Sequence, residues 1–480
     1  MSFRPLVSSL LLLCAAALLG CLAEGSRAIA QSASRPPNVI VILADDMGYG
    51  DTGESGHPSI RTPNLDRMAR EGQRWTQFYA AASVCSPSRA ALLTGRLPIR
   101  SGMASLKHRV FFPWSKGGLP ASETTIAELL QARNYATAMI GKWHLGHLPE
   151  FLPTRHGFDD WFGIPYSNDM DKTDIAKQML RDPRPVAPFP AKGWYEPKSE
   201  WFQVPLMRGE TVIERGPDQR LLTQRYTEES VDFIRRHRDT PFFLYLAFSM
   251  PHVPLFRSPD FAGRSAAGLY GDVIEELDAS VGVVLDELRA LELADDTLVV
   301  FTSDNGPWLK FGTLGGSAGP LRDGKSTAWE GGFRVPAFFW APGMVSPGIV
   351  HEMSSTLDLL ATIAAMTDSE LPAAQLDGVD LTPLLTRDGE GGREEMFFYL
   401  GDQLAAVRRG PLKAHFLVAD TDSRKVVTLA RPLLFDVIQD PSERFDLAES
   451  NPGILAELTQ LRAAHSASII AVENQLVRRE

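Results

Sequence analysis

Residues 84–96 read Val-Cys-Ser-Pro-Ser-Arg-Ala-Ala-Leu-Leu-Thr-Gly-Arg, and Cys85 is the residue in that run with nucleophilic chemistry to offer. The two other cysteines, Cys14 and Cys21, lie in an apolar N-terminal segment, so Cys85 has no partner for an internal disulfide. A lone thiol in an oxidising compartment is either buried or used. Ser86 is a candidate helix cap, Pro87 suits a first helical position, and residues 89–93 read as helix. Residue 85 is then expected just ahead of a helix N-terminus, where backbone N–H groups favour an anion. Local chemistry leaves a structural cysteine and a reactive one both open.

Four other groups of ionisable residues each follow an apolar run of strand character. Asp45-Asp46 follows residues 38–43, Lys142 and His144 follow 135–140, His252 follows 242–248, and Asp304-Asn305 follows 297–302. Taken singly, the acidic pairs read as turns or caps and the others as satisfied polar residues. Together they fall at equivalent strand ends, which is where ligands gather in parallel sheets. Three carboxylates and an amide oxygen are hard ligands suited to Ca²⁺ or Mg²⁺, and no His-rich or Cys-rich zinc pattern is present.

Cys-x-Pro-x-Arg followed by Ala-Ala-Leu-Leu-Thr-Gly-Arg resembles the signature of the type I sulfatases, in which that cysteine is converted to formylglycine. The resemblance runs from about residue 36 to about residue 447. Within the family it is closest to the arylsulfatase A and N-acetylgalactosamine-6-sulfatase group, and departures concentrate in residues 168–225 and 307–320. It implies Asp45, Asp46, Asp304 and Asn305 as ligands of a divalent metal, Ca²⁺ before Mg²⁺, with the group made from Cys85 completing the set. Arg89 matches the arginine that holds the formylglycine hydrate. Lys142 and His144, in Gly-Lys-Trp-His-Leu-Gly, match a catalytic pair, with His144 as base. His252, in Pro-His-x-Pro, and Lys325, in Gly-Lys-Ser-Thr-Ala-Trp-Glu-Gly-Gly, match the groups that protonate the leaving alcohol. Ser167, in Ile-Pro-Tyr-Ser, resembles a substrate-side serine.

The implied reaction is hydrolysis of sulfate monoesters on sulfated carbohydrates or aryl sulfates, after maturation by a formylglycine-generating enzyme. A phosphomonoesterase or phosphonate monoester hydrolase of the same superfamily is the alternative, since a similar metal site suits phosphoryl groups. A carbohydrate-binding module with an unconverted thiol is a third.

The elements needed to position these residues follow from the pattern. Between the third and fourth apolar runs, Tyr270, Val273, Ile274, Leu277, Val281, Val284, Leu285 and Leu288 recur at helical spacing. Thr125 and Glu128 form a candidate capping box. Alternating strand and helix predicts an α/β fold. The resemblance implies an alkaline-phosphatase-like sandwich, a large mostly parallel sheet flanked by helices, over residues 36–385, with a smaller C-terminal antiparallel sheet and a packed helix over 394–480. In that second part, strands are expected at 397–400, 404–407, 412–418 and 433–437, and a helix over 452–476. His415, on one of those strands, is a further candidate to reach the substrate pocket.

Residues 168–225 are rich in Asp, Arg and Pro and then in aromatics. They read as a solvated insertion or as a lid on which Trp194, Tyr195, Trp201 and Phe202 stack against sugar. The Gly-rich run 312–319 is expected near the mouth of the site.

The chain of 480 residues is 44% hydrophobic and 22% charged, an ordinary globular composition with room for a large core. Its net charge of -11 argues against general nucleic-acid binding, so an anionic substrate needs a local cluster of cations. Residues 1–30 read as an export signal, with Arg4 ahead of an apolar run. Two processing sites are open: Leu-Leu-Gly-Cys21, which would place a lipid anchor on Cys21, and Ala28-Ile29-Ala30 before Gln31. The protein is expected to be periplasmic or secreted, or held at a membrane as a lipoprotein.

Overall fold

The run Asn-Val-Ile-Val-Ile-Leu-Ala forms β1 (Asn38–Ala44), and all seven of its residues are buried. A strand can be apolar on both faces only where both faces are covered. Val39, Val41 and Leu43 enter one core, and Ile40, Ile42 and Ala44 enter the other. The computed structural model describes residues 36–181, 192–419 and 425–478. The signal segment 1–30, including Cys21 and the Ala28-Ile29-Ala30 site, lies outside the described residues, as do positions 182–191 of the insertion.

Along the chain follow β2 (Gln73–Trp75), β3 (Phe78–Tyr79), β4 (Ala136–Lys142), β5 (Asp160–Ile164), β6 (Pro205–Arg208), β7 (Thr211–Arg215), β8 (Phe242–Ala247), β9 (Thr297–Ser303), β10 (Ala337–Trp340), β11 (Gly348–Val350) and β12 (Ser354–Ser355). With β1, all but β3 and β12 build one ten-stranded sheet in the order β11-β2-β10-β9-β1-β8-β4-β5-β6-β7. Its centre, β9-β1-β8-β4-β5, is parallel throughout. Antiparallel pairings flank it at β9–β10 and at β5-β6-β7.

Helices Pro63–Glu71, Leu222–Arg236 and Gly268–Ala290 cover the Ile40 face, and Cys85–Thr94, Ile126–Gln131 and Asp358–Met366 cover the Val39 face. All eight apolar residues expected on Gly268–Ala290 are buried. The Thr125–Glu128 capping box forms in both directions and starts Ile126–Gln131.

The C-terminal part is a second antiparallel sheet of β13 (Glu395–Leu400), β14 (Gln403–Arg409), β15 (Leu412–Ala419) and β16 (Val426–Asp436), in that order. β16 begins earlier than expected and carries Pro432, which it tolerates as an edge strand. The closing helix is Pro452–Ser468, ending eight residues short of the expected 476. Its His465 ring stacks on Phe397 with centroids 3.6 Å apart. The insertion is not only solvated surface: β6 and β7 extend the large sheet, and Trp201 and Phe202 are buried in the core, so neither offers a stacking face.

Candidate active site

The parallel ladder delivers the acidic residues to one edge of the sheet. The amide of Asp45 donates to the carbonyl of Met250 (3.1 Å), and that of Asp304 to the carbonyl of Ala44 (3.1 Å), so the strand-end loops stay in register past the last strand residues. The Asp46 amide donates to Asp304 Oδ1 (3.1 Å), and the Met47 amide to Ser303 Oγ (2.9 Å). Asp46, His144 and Ser326 all have positive φ, at 69°, 62° and 75°. Such backbone costs energy in residues with a Cβ and collects at functional sites. Gly306 is required where it stands, since a Cβ there would lie 1.7 Å from the Gly331 carbonyl oxygen.

Cys85 arrives from the other direction. It is the first residue of Cys85–Thr94, every residue of which is buried; Ala90, Leu92 and Leu93 pack toward the large sheet and Ala91 joins the core of the second sheet. The expected cap does not form: Val84 is the N-cap, in an extended conformation, and no side chain caps the helix. Ser86 Oγ instead accepts from the Phe111 amide at 3.2 Å, which draws it away from the helix end.

Around Cys85 the predicted residues converge. Its Sγ lies 3.5 Å from Asp45 Oδ1 and 3.4 Å from Lys325 Nζ. Lys325 Nζ donates to both oxygens of Asp46 (2.6 and 2.8 Å), and Lys142 Nζ to Asp45 Oδ2 (2.5 Å) and Ser167 Oγ (3.2 Å). Arg89 donates from Nε to Asp304 Oδ2 (2.9 Å) and from Nη1 to the Lys142 carbonyl (2.6 Å), and its Nη2 lies 3.5 Å from Asp45 Oδ1. His252 places Nε2 3.7 Å from Asp46 Oδ2, with Ser167 Oγ 3.5 Å from its Nδ1. His144 Nε2 is 2.9 Å from the Phe111 carbonyl oxygen.

Three buried carboxylates thus face three buried fixed cations. Burial pushes Asp45 up, but Lys142, His252 and Arg89 outweigh it and hold the carboxyl well below the usual range. Burial and the Asp45 charge push Asp304 up to about 7 in spite of Arg89. Burial opposes the charge on Lys325, yet Asp46 keeps the ammonium well above its usual range. Burial and Lys142 hold His144 well below its ordinary value, and burial with Lys325 lowers His252.

The group fits a divalent cation. Ligand atoms of Asp45, Asp46, Cys85 and Asp304 all lie within 4.8 Å of one another. Asn305 sits beside them, its Nδ2 donating to Asp46 Oδ1 (2.7 Å), and its buried Oδ1 has no hydrogen-bond partner. Hard oxygens on several sides suit Ca²⁺ or Mg²⁺.

His415 is placed differently. Its Nε2 is 2.6 Å from Glu443 Oε1 and its ring lies 4.2 Å from that of Trp329. It belongs to a buried network in which Lys413 bridges Glu330 (2.9 Å) and Glu443 (3.2 Å), a structural tie between the second sheet and the segment after Lys325. Glu443 takes its Nε2, while its buried Nδ1 has no hydrogen-bond partner.

Two residues near the site were not singled out by the sequence reading. Trp308 follows the Asp304-Asn305-Gly306 loop and lies 5.5 Å, ring to ring, from His252. Asp51, after the glycines at 48 and 50, accepts from Tyr270 Oη (2.6 Å) and the amides of Gly48 (2.7 Å) and Ser317 (2.8 Å). It pins the Asp45–Asp46 loop to the Gly-rich run 312–319. Asp51→Ala strands those donors and is expected to lower stability by about 3 kcal/mol in chemical denaturation; an unchanged midpoint contradicts this role. Burial pushes the Asp51 carboxyl from 3.8 up to about 7 despite its three donors. Its contribution to stability is therefore whole below its ordinary value and lost as pH rises through 7, a slope that Asp51→Asn removes.

Known proteins match over most of the chain. The Sulfatase family profile matches residues 37–369, and the profile for the C-terminal region of aryl-sulfatase matches residues 391–480. Arylsulfatase A of Homo sapiens is 42% identical over 475 residues, which cover 93% of this chain and 92% of that protein. N-acetylgalactosamine-6-sulfatase of Mus musculus is 39% identical over 482 residues, covering 93% and 89%. Among solved structures, the PsFucS1 sulfatase from Pseudoalteromonas sp. superposes with a TM-score of 0.79 at 30% identity, over 90% of each chain. The chain is a member of the sulfatase family and a sulfuric ester hydrolase.

Proposed function

We propose that this enzyme is an exported sulfatase that releases sulfate from carbohydrate monoesters, using a Ca²⁺ ion and a formylglycine made from Cys85. The observation that carries the reading is the buried grouping of Asp45, Asp46, Asp304 and Cys85 within 4.8 Å, ringed by Lys142, Lys325 and Arg89. Similarity to N-acetylgalactosamine-6-sulfatase favours a sulfated sugar. Conversion of Cys85 needs a formylglycine-generating enzyme as a partner during maturation. Export rests on the leader at residues 1–30, with Cys21 the candidate lipid anchor. Among the described residues, no helix is long and apolar enough to cross a membrane.

Asp45, Asp46, Asp304 and Asn305 would hold the metal, which supplies Lewis-acid polarisation of the S–O bonds. A hydrated aldehyde made from Cys85 would supply the nucleophilic hydroxyl and a second hydroxyl for release of sulfate. Lys142 and Lys325 set fixed positive charge where charge develops on the sulfuryl oxygens. Arg89 is locked by Asp304 and the Lys142 carbonyl, which holds its charge in place at the site.

His144 is suited to take a proton. Its Nε2–H donates to the Phe111 carbonyl, leaving a lone pair on a buried Nδ1 that has no partner. His252 Nδ1–H donates to the Val253 carbonyl (2.6 Å), which leaves the lone pair on Nε2. A neutral His252 therefore has no proton at Nε2 to give. Lys325, kept protonated by Asp46, is the donor to the leaving alcohol near neutrality, and His252 shares that role once protonated.

Initial rates on 4-nitrophenyl sulfate, phosphate and phenylphosphonate under one set of conditions test the reading. Sulfate is expected to be preferred by at least about tenfold in kcat/KM. Preference for phosphate or phosphonate would reassign the enzyme to phosphoryl or phosphonate ester hydrolysis. A desulfation screen over defined sulfated mono- and oligosaccharides, read by sulfate release, then identifies the sugar.

A further inference from the structure

Residues 168–225 and 307–320, which depart most from the family pattern, meet beside the site. Trp194 is tied within the first stretch by its indole N–H, which donates to the Leu180 carbonyl at 3.1 Å. Its ring meets Phe311 nearly edge-on, with centroids 4.8 Å apart, and Phe311 meets Trp308 in the same way at 4.8 Å. Trp308 in turn lies 5.5 Å from the His252 ring, and Lys325 Nζ stands 4.6 Å from the indole centroid. The Lys325 amide donates to the Pro307 carbonyl at 2.9 Å, so the backbone just before Trp308 is fastened to that lysine. Trp194, Phe311 and Trp308 are each half-buried.

This run of rings ends at the two groups assigned to the leaving alcohol. An ester oxygen that takes a proton from Lys325 or His252 brings its own carbon skeleton alongside Trp308. An indole offers that skeleton a rigid apolar face with a negative quadrupole, complementary to the C–H face of a pyranose or the edge of an aryl ring. Each ring in the run props the next, so the wall stays in place without the substrate.

We propose that Trp308, backed by Phe311 and Trp194, determines specificity by forming the wall against which the ring of the leaving alcohol lies. The enzyme then selects sulfate carried on a ring over sulfate carried on an open chain. This deepens the sulfatase reading and rests on it.

The test compares Trp308→Ala and Trp308→Phe with the unaltered enzyme on 4-nitrophenyl sulfate, a 6-sulfated N-acetylhexosamine and hexyl sulfate. Trp308→Ala is expected to raise KM for the two ring-borne esters about tenfold, to lower kcat less than that, and to change hexyl sulfate kcat/KM less than about twofold. Trp308→Phe recovers most of the loss. An unmoved KM overturns the proposal. So does a fall in kcat shared by all three substrates with a shifted pH profile, because Trp308 would then act by positioning Lys325 and His252. Thermal melting checks that the variants fold, and Trp308→Leu, which keeps apolar bulk without a π face, replaces the Ala variant if that fails. An unaltered enzyme that releases sulfate from none of the three overturns the sulfatase reading and this proposal with it, which separates that failure from failure of the wall alone.

Discussion

Replacing Cys85 with Ala is expected to cut kcat on 4-nitrophenyl sulfate by at least about 10⁴-fold while the protein still folds. The residue is the first of a helix whose stability comes from Ala90, Ala91, Leu92 and Leu93, packed between two sheets. Its own side chain contributes only the long contacts to Asp45 and Lys325, at 3.5 and 3.4 Å. Losing them costs about 1 kcal/mol, on the scale of an ordinary substitution. A variant that loses activity and melting transition together would make Cys85 a structural residue. One that keeps activity would remove it from the chemistry.

The second large effect concerns the metal. Exhaustive chelation is expected to abolish turnover, and added Ca²⁺ to restore it. Asp304 is the ligand to alter, but the structure changes which variant is informative. From the sequence, Asp304→Ala promises a loss of activity far larger than any loss of stability. In the fold, Asp304 Oδ2 accepts from Arg89 Nε at 2.9 Å and lies 2.9 Å from its Nη2, and both side chains are fully buried. Removing that acid leaves a buried guanidinium whose counter-charge is the more distant Asp45, 3.5 Å away, a disruption on the order of 3–5 kcal/mol. Asp304→Asn keeps the shape and an acceptor oxygen. It is expected to lower kcat by roughly 10³-fold with a small change in the denaturation midpoint. Full activity after chelation would take the metal out of the mechanism.

What the sequence made legible was what local pattern controls. Continuous apolar runs, β-branched in β1 and β9 and aromatic-rich in β8, marked these strands because a central parallel strand must be apolar on both faces. The Thr125–Glu128 box was readable because its reciprocal bonds span three residues. That Asp45, Asp46, Asp304 and Asn305 would meet was readable because strand ends in a parallel sheet share one edge.

Long-range competition was not readable. Ser86 caps nothing because the Phe111 amide, 25 residues away in sequence, claims its hydroxyl. Nothing in the sequence around His415 showed that its Nε2 pairs with Glu443, 28 residues on, in a buried network with Lys413. Trp201 and Phe202 resembled a sugar platform, yet β6 and β7 continue the sheet past them and turn both rings inward. Trp308 carried only the faint signal of an aromatic just after the Asp304-Asn305-Gly306 loop. The role proposed for it draws on Phe311 one turn along the chain and on Lys325 and His252 arriving from farther away.

A formylglycine mechanism requires position 85 to be something other than a cysteine in the working enzyme. The direct measurement is the mass of the tryptic peptide spanning residues 75–89, taken from active, natively exported protein. The expected peptide is lighter than the encoded one by exchange of a thiol for an aldehyde, and it reacts with a carbonyl-directed hydrazide. An unmodified thiol at that position in fully active protein would contradict it.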